Sequence, residues 1–450
     1  MRRLPILRLS VILVLTMLLS MTSFSGSLFA VTPLTEVDQD HPYNRSVKEA
    51  EQEKNINPQL DIKLTSDKNA NNYPIVLVHG LGGFKDLYGI PYWGGLTNIP
   101  RDLRNKGYEV YVAEIGPVSS NWDRAAELYA QIKGGTVDYG EAHAAEHGHL
   151  RFGRTYDGLY PEWGEVNPKT GKVNKVHLIG HSLGGPTSRA LIQLLEEGHP
   201  AEVSTTSATK LSPLFQGKKE WVHSAVSLSS PHDGSTATYY IDNLIPHIQE
   251  ILAVFAALQG NHSTVEFDFQ LDHWGLKREA GESFDSYVNR VKKSNIWKTK
   301  DTAKWDARPI GAQELNEWIQ GSSSVYYFSL STEQTYRSIF TGYHKPELFM
   351  NPIFYDGSRF MGRHRSSTDG IHTGSDWWEN DGVVNTNSMD GPTLHSDEQI
   401  VTYDGSAERG KWNHLGTLNS VDHLDVIGIG VRDMRWLFRD MAEMLTSLPD

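Results

Sequence analysis

Residues 175–186 read KVHLIGHSLGGP, in which a serine, Ser182, lies between two glycines at the spacing Gly-X-Ser-X-Gly. The apolar, β-branched run from Val176 to Ile179 predicts a short buried strand. Apolar residues recur at helical spacing from Ala190 to Leu195 and predict a helix. A strand, a tight turn and a helix around such a serine predict a nucleophile elbow, whose glycines leave room for the strand and helix to pass closely.

A second buried strand is predicted from Pro74 to Val78, and it runs into the glycine-rich residues 79–84, HGLGGF. Such a turn lets backbone N–H groups point into a site, as an oxyanion hole requires; the alternative is an ordinary strand-ending turn. A helix and another strand follow over residues 103–113. This alternation predicts a mostly parallel central sheet with helices on both faces, an α/β fold.

The first thirty residues predict a secretory signal peptide. Three arginines precede an apolar run from Val11 to Leu19, which is short for a membrane span, and small and polar residues follow up to Ala30. The alternative is an uncleaved membrane anchor. Residues 31–72 are polar, mixed in charge and weakly periodic, so they predict a mobile leader or short pro-segment before a folded domain at residues 73–450.

The composition excludes several kinds of site. The chain has 450 residues, a net charge of −13 and no cysteine. It therefore has no disulfide, no thiolate metal site and no cysteine nucleophile, and no basic stripe suggests nucleic acid. Signal removal would take away three arginines and no acids, moving the net charge from −13 to −16. An exported protein of this kind depends on core burial or on a non-thiolate metal.

A histidine-rich block lies between the predicted strand that ends at residue 113 and the elbow at Ser182. Three histidines, His143, His147 and His149, fall within seven residues, downstream of Asp123. Imidazole and carboxylate groups are both zinc donors, so this spacing can converge on one cation. The alternative on residues alone is a solvated histidine cluster without a metal.

Residues 241–258 carry apolar side chains at helical spacing. Such a stripe is typical of a core helix. In an enzyme whose site is hidden from water until an oily substrate arrives, it is also what a lid requires.

An acyl-transfer serine needs a base and an acid, which α/β-hydrolases supply in the chain order Ser, Asp, His. Ser182, Asp381 and His423 satisfy this order. Spacing alone leaves other partners open: Asp376, Asp390 and Asp404 for the acid, and His395 and His414 for the base.

Longer blocks carry a resemblance, among them GPVSSNWDRA at 116–125, AHAAEHGH at 142–149, DHWGL at 272–276 and ENDGVVNT at 379–386. From about Tyr73 to about Gly428 the chain resembles the large secreted lipases of thermophilic bacilli and, more distantly, the staphylococcal lipases. The resemblance implies an α/β-hydrolase with a zinc-bearing insertion at about 117–165 and a helical lid at about 235–262. It also implies triacylglycerol lipase activity.

The resemblance assigns roles to the candidate catalytic residues. It implies that Ser182 is the nucleophile, Asp381 the orienting acid and His423 the general base. It further implies that the backbone N–H groups of Leu81 and Leu183 form the oxyanion hole.

The resemblance also implies metals. A structural zinc ion would be held by residues matching Asp123, His143, His149 and Asp272. A calcium ion would be held by the carbonyl of Phe349 and the carboxylate of Asp425. The acid-proline pair that completes this calcium site falls at Gly430-Val431, so calcium binding is expected to be weakened.

These observations predict a secreted, extracellular triacylglycerol lipase that acts on lipid esters at an oil–water interface by a Ser-His-Asp acyl-enzyme mechanism. We expect no nucleic-acid partner and no stable membrane insertion after signal cleavage. One alternative is a carboxylesterase for short soluble esters, which would show no rate increase at an interface. A non-catalytic lipid-binding protein on a hydrolase scaffold is disfavoured because all three candidate catalytic residues are intact.

Overall fold

The computed structural model describes residues 60–64, 70–87, 89–241, 246–250 and 267–450. The predicted signal peptide, the leader up to residue 59 and most of the apolar segment 241–258 lie outside the described residues. No helix in these described ranges is both long and apolar enough to cross a bilayer.

Seven parallel strands of the described chain form the central sheet. In chain order they are β1 Ile75–Val78, β2 Val110–Val112, β3 Val176–His181, β4 Val222–Leu228, β5 Tyr326–Glu333, β6 Ile400–Thr402 and β7 Trp412–Asn419. Their spatial order is β6-β7-β5-β4-β3-β1-β2, and each neighbouring pair is parallel. The carboxyl ends of all seven strands therefore meet at one edge, and the predicted parallel sheet is confirmed.

Every residue of β1, β3 and β4 is buried. Their register places Val76 opposite Leu178, and Leu178 opposite Ala225. Strands buried on both faces read as continuous apolar runs rather than alternating ones, which explains why β1 and β3 could be predicted from composition.

Helices cover both faces of the sheet. They are α1 Ile99–Asn105, α2 Asn121–Lys133, α3 Glu141–His147, α4 Gly184–Glu196, α5 Pro200–Thr205, α6 Phe284–Lys293, α7 Ala303–Asp306, α8 Pro309–Trp318, α9 Tyr355–Met361 and α10 Arg435–Ser447. Ile75 and Leu77 of β1 join an apolar cluster with α10, whereas Val76 and Val78 join a second cluster with α2 and α4. Since alternate residues of a strand point to opposite faces, the two clusters lie on opposite sides of the sheet.

Among the described residues, three antiparallel strand pairs lie outside the central sheet. They are Asp86–Leu87 with Ile90–Pro91, Gly135–Asp138 with Phe152–Tyr156, and Thr335–Arg337 with His344–Pro346.

Part of the predicted leader packs on the domain. Ile62 is buried, and the Asn71 side chain donates to the carbonyls of Leu445 (2.8 Å) and Leu448 (3.0 Å) at the end of α10. The described residues before Tyr73 therefore belong to the domain, because Ile62 joins the same apolar cluster as α10 and the Asn71 amide bonds to the end of that helix.

Two histidines lie side by side inside the sheet. The rings of His177 on β3 and His223 on β4 are buried, with centroids 5.4 Å apart. Burial, with Lys175 and Arg409 nearby, lowers the pKa of His223 from 6.5 to about 4. Burial also lowers the pKa of His177 well below its ordinary value. Both rings are neutral in the folded protein near neutral pH.

This burial predicts sensitivity to acid. The unfolded chain takes up the His223 proton near pH 6.5 and the folded protein only near pH 4, so stability is lost as the pH falls through this window. Between these pH values, one such histidine changes the free energy of unfolding by about 1.4 kcal/mol per pH unit. We expect His223→Phe to flatten the pH dependence of the free energy of unfolding by about one proton in denaturant titrations between these pH values. An unchanged slope would contradict this assignment.

Candidate active site

The predicted elbow is present at the carboxyl end of β3. Ser182 has a φ of 55°, in the left-handed region that non-glycine residues rarely adopt, and α4 begins two residues later. A Cβ atom at Gly180 would overlap the backbone of Gly184, and one at Gly184 would overlap the carbonyl of Val78 in β1. The glycines therefore allow β1, β3 and α4 to approach closely enough to hold the serine in this conformation.

Asp381 and His423 form a hydrogen-bonded pair, with 2.7 Å between Asp381 Oδ2 and His423 Nδ1. The carboxylate is fully buried and also accepts from the hydroxyl of Thr332 at 2.9 Å and from the N–H groups of Val383 (3.0 Å) and Val384 (2.8 Å). These donors fix the carboxylate and leave its negative charge directed at the imidazole.

Three of the other candidates that spacing left open, Asp390, His395 and His414, have different partners. Asp390 accepts from Ser331 Oγ at 2.6 Å and lies 3.5 Å from Nε2 of His414. His395 is exposed and lies 2.6 Å from Glu317. These contacts are separate from the Asp381–His423 pair.

His181, the residue before the serine, joins the elbow to His423. Its Nε2 lies 2.9 Å from the backbone carbonyl of His423, and its Nδ1 lies 2.6 Å from the hydroxyl of Tyr92. Because a carbonyl only accepts, Nε2 carries the proton and Nδ1 accepts from Tyr92. Burial lowers the pKa of His181 well below its ordinary value, so the ring stays neutral. This positioning role was not predicted from the sequence, where His181 was only a variable position of the elbow.

The glycine-rich residues 79–84 follow β1 and pass directly against the serine. A Cβ atom at Gly80 would overlap the Ser182 side chain. The N–H of Gly82 donates to Pro117 O at 2.8 Å. Within the described ranges, by contrast, the N–H groups of Leu81 and Leu183 donate to no acceptor. These two donors are therefore available to a ligand beside Ser182.

Arg124 on α2 holds the glycine-rich loop 79–84 in place through hydrogen bonds. Its guanidinium is buried and donates to the carbonyls of Gly116 (2.7 Å) and His79, and to the hydroxyl of Thr187 on α4 (2.9 Å). One side chain thus ties the loop after β1 to the helix after the elbow. No sequence motif indicated this role.

Four side chains form a buried group at the start of α2. Asp123, His143, His149 and Asp301 each offer one donor atom, and these atoms all lie within 4.8 Å of one another. Nε2 of His143 is 3.3 Å from both carboxylates, and Nε2 of His149 is 3.2 Å from Asp301. One donor atom of each residue is buried without a hydrogen-bond partner in the described chain. Four unpaired ligand atoms this close together fit a four-coordinate cation.

The electrostatics of this group favour a positive charge. Burial alone would lower the pKa of His143, but the nearby carboxylates of Asp123 and Asp301 raise it to about 10. His273 adds a further contact, since its Nε2 lies 2.9 Å from the second oxygen of Asp123. A partner of this kind orients a metal-binding carboxylate.

The fourth predicted ligand, Asp272, is not part of this group and requires a correction. Its carboxylate pairs with Arg154 on the strand Phe152–Tyr156, at 2.6 and 3.0 Å. The short turn Asp272–Trp274 directs His273 inward instead. Asp301 takes the fourth position because the Ala303 N–H donates to Val118 O at 3.0 Å, which docks this segment beside α2.

The predicted calcium site does not fit a calcium ion, which needs six to eight oxygen ligands. Asp425 is buried, and its Oδ2 lies 3.3 Å from Nε of Arg432, whose guanidinium also donates to the carbonyl of Ser420. A protein cation therefore lies against the carboxylate expected to bind calcium. Phe349 offers only its carbonyl, and residues 430–431 offer no side-chain oxygen.

The carboxylate oxygens of the neighbouring acid, Asp422, accept hydrogen bonds from backbone N–H groups. Its Oδ1 accepts from the N–H groups of Leu424 (2.9 Å) and Asp425 (2.8 Å), and its Oδ2 accepts from Asn351 (2.8 Å). These bonds hold the loop on which His423 lies without requiring a metal.

A family model described as "Lipase-like, C-terminal domain" matches residues 71–450. A lipase of Staphylococcus epidermidis is 35% identical over 415 residues, which cover 90% of this chain and 57% of that protein. Lipase 1 of Staphylococcus aureus is 37% identical over 366 residues, covering 80% and 51%. The chain thus spans about half the length of these curated relatives.

Three solved structures are similar over most of their length. EstA from Clostridium botulinum superimposes with a TM-score of 0.79 at 43% identity, covering 87% of this chain and 91% of that one. Lipase 1 from Pelosinus fermentans gives 0.77 at 47% identity, covering 84% and 99%. Staphylococcus hyicus lipase gives 0.68 at 32% identity, covering 85% and 97%.

The contact between Arg432 and Asp425 predicts independence from calcium. Arg432→Ala would leave Asp425 without its cationic neighbour and the Ser420 carbonyl without this donor, so it should lower the melting temperature and, through the loop bearing His423, the turnover rate. Arg432→Lys should retain part of both. With zinc held constant, the parent protein should melt at the same temperature in calcium and in a calcium chelator. A calcium-dependent rise in its melting temperature would overturn this interpretation.

Proposed function

We propose that this chain, which belongs to the family described as "Lipase-like, C-terminal domain", is a secreted hydrolase for carboxylic esters of water-insoluble lipids. The observation that carries the proposal is a strained serine at an elbow, beside a buried Asp–His pair and two available backbone N–H groups. The names of the staphylococcal relatives, all lipases, support the substrate class.

The proposed reaction follows from this geometry. Ser182 Oγ attacks the ester carbonyl while His423 Nε2 takes its proton. Asp381, hydrogen bonded to Nδ1, stabilises the imidazolium that forms. The N–H groups of Leu81 and Leu183 hold the developing oxyanion. His423 then protonates the leaving alcohol, and water hydrolyses the acyl-enzyme by the same steps in reverse order.

A lid is part of the proposal. We call the glycine-rich residues 79–84 the oxyanion loop, after the role proposed for them. Ile248, in the helical residues 246–250, is buried, and its side chain would lie 3.3 Å from a Cβ atom at Gly82 of this loop. The apolar segment of about 235–262 therefore includes at least one residue packed against the site. We propose that this segment covers the serine in water and moves aside at a lipid surface.

Secretion rests on the predicted signal peptide at residues 1–30. The leader and the domain boundary near residue 73 likewise stay predictions.

Rates measured through the solubility limit of the substrate test the proposed function. Tributyrin and triolein emulsions should be hydrolysed faster than a soluble short ester, with a rise in rate once substrate forms a separate phase. A carboxylesterase would show no rise at that point. A non-catalytic lipid-binding protein would hydrolyse none of the three.

Variants of the proposed triad test the chemistry. Ser182→Ala should abolish hydrolysis without unfolding the protein, and a serine-directed phosphonate should label Ser182. Asp381→Asn should reduce turnover by about four orders of magnitude, because it would hold the wrong tautomer of His423. Asp390→Asn is the matched control and should leave turnover nearly unchanged. Labelling of another residue, or a reversed ranking of the two Asn variants, would contradict the assignment.

We also propose that Asp123, His143, His149 and Asp301 hold a structural zinc ion. Two carboxylates and two imidazoles complete a four-coordinate shell with no open position for water, which is typical of structural sites. When bound, the ion would supply a cross-link among α2, the α3 region and the segment before α7. This link adds to folding stability in a chain without disulfides.

Whether Asp301 or Asp272 is the fourth ligand gives a sharp test of the metal site. Asp301→Asn and His149→Ala should each reduce the zinc content from about one ion per chain and lower the melting temperature. Asp272→Asn, the matched control, should retain the metal. Elemental analysis and thermal melts measure both quantities. Loss of zinc in Asp272→Asn with retention in Asp301→Asn would restore the ligand set expected from the resemblance.

A further inference from the structure

A β-hairpin follows β5 at the edge of the sheet where the proposed active site lies. Strand β5 ends at Glu333, and the hairpin strands Thr335–Arg337 and His344–Pro346 begin two residues later. Near the end of β5, Thr332 donates to Asp381. The hairpin therefore begins at the carboxyl edge of the sheet, the edge that also carries Ser182.

This hairpin exposes a cluster of large apolar side chains. Five residues within eleven positions are exposed: Ile339 (77%), Phe340 (68%), Tyr343 (41%), Leu348 (51%) and Phe349 (66%). We call residues 335–349 the apolar hairpin. Single exposed apolar residues are common on soluble proteins, but a group of this density marks an interaction surface.

Backbone hydrogen bonds hold the apolar hairpin in place. The His344 N–H donates to Gly362 O at 2.8 Å, and the Glu347 N–H donates to Gln334 O at 3.0 Å. The Gln334 N–H in turn donates to Asn380 O at 3.0 Å, directly before Asp381. The exposed side chains thus occupy a fixed position relative to the proposed catalytic acid.

The exposed charges beside the hairpin include several guanidinium groups, although the chain carries a net charge of −13. Arg337 lies in its first strand, and Arg363 follows the Gly362 that bonds to its second strand. Arg365 stacks on Trp378, whose ring contacts Tyr343. The acids Glu333 and Glu379 lie 4.0 Å from the ring nitrogens of His344, and the hairpin itself contains Lys345 and Glu347.

We propose that the apolar hairpin docks on the surface of lipid aggregates that carry negative charge. Ile339 and Phe340 would enter the apolar layer, and the arginines would meet anionic headgroups at the surface, as in interfacial membrane proteins. This holds the active-site edge of the sheet against the lipid. The inference rests on the proposed function for its biological meaning, but docking is a step separate from ester hydrolysis.

Binding is measured with the full chain carrying Ser182→Ala, so that the lipid is not consumed. Vesicles of phosphatidylcholine, with and without phosphatidylglycerol, are the probes in flotation assays. The parent should bind more tightly to the anionic vesicles. The double variant Ile339→Ser/Phe340→Ser should bind at least about tenfold more weakly, since it removes two large apolar side chains.

The matched control is Val166→Ser. Val166 is 63% exposed and lies in a loop before the first residue of β3, at the opposite end of the strands from Ser182. It should bind vesicles like the parent. Thermal melts of both variants should match the parent, because the changed residues are exposed.

Hydrolysis separates docking from chemistry. With Ser182 intact, the double variant should keep the parent's kcat/KM on a soluble ester and lose activity on emulsions. If the parent hydrolyses neither substrate, the proposed function is wrong. The vesicle-binding assay then still tests whether the apolar hairpin docks on lipid. Equal binding by the double variant and the parent would overturn the docking proposal. The docking proposal would also be overturned if sedimentation showed the parent to be a dimer and the double variant a monomer. The exposed apolar side chains would then join two copies of the chain.

Discussion

The backbone of Ser182 is the constraint on which the site depends. A φ of 55° is unfavourable for a serine and persists only because β1, β3 and α4 enclose it, with no room for a Cβ at Gly180 or Gly184. The parallel order of the sheet brings the carboxyl ends of β1, β3 and β5 to one edge. The loop after β1 and the elbow after β3 are in contact there, and Thr332 near the end of β5 holds the Asp381 carboxylate at the same edge.

Helix α2 connects this edge to the proposed metal site through two adjacent residues. Asp123 belongs to the buried four-residue group, and Arg124 donates to the carbonyls that shape the oxyanion loop. A cation that fixes Asp123 would therefore also fix the start of the helix that carries Arg124. This arrangement relates a proposed structural ion to the geometry of the proposed active site without giving the ion a chemical role.

Local patterns were sufficient to predict β1, β3 and the elbow, because apolar runs and glycine spacing act within a few residues. The partners Asp381 and His423 needed the resemblance, since spacing left Asp390 and His414 equally open. Which of Asp272 and Asp301 faces Asp123 could not be read from the chain. That choice depends on Arg154 pairing with one aspartate and on a backbone bond to Val118 that docks the other. Contacts of this kind between distant segments leave no local signature.

The two sides of the site are held by positive charges of different origin. On the side of the oxyanion loop, the buried Arg124 and the proposed zinc ion act through α2. On the side of His423, Arg432 contacts Asp425 and the carbonyl of Ser420, while neutral His181 bonds to the backbone of His423. A guanidinium cannot dissociate as a metal ion can, and it needs no supply of ions. The loop that carries His423, the proposed general base, is therefore held by groups of the chain itself, and the proposed metal would act on the opposite side.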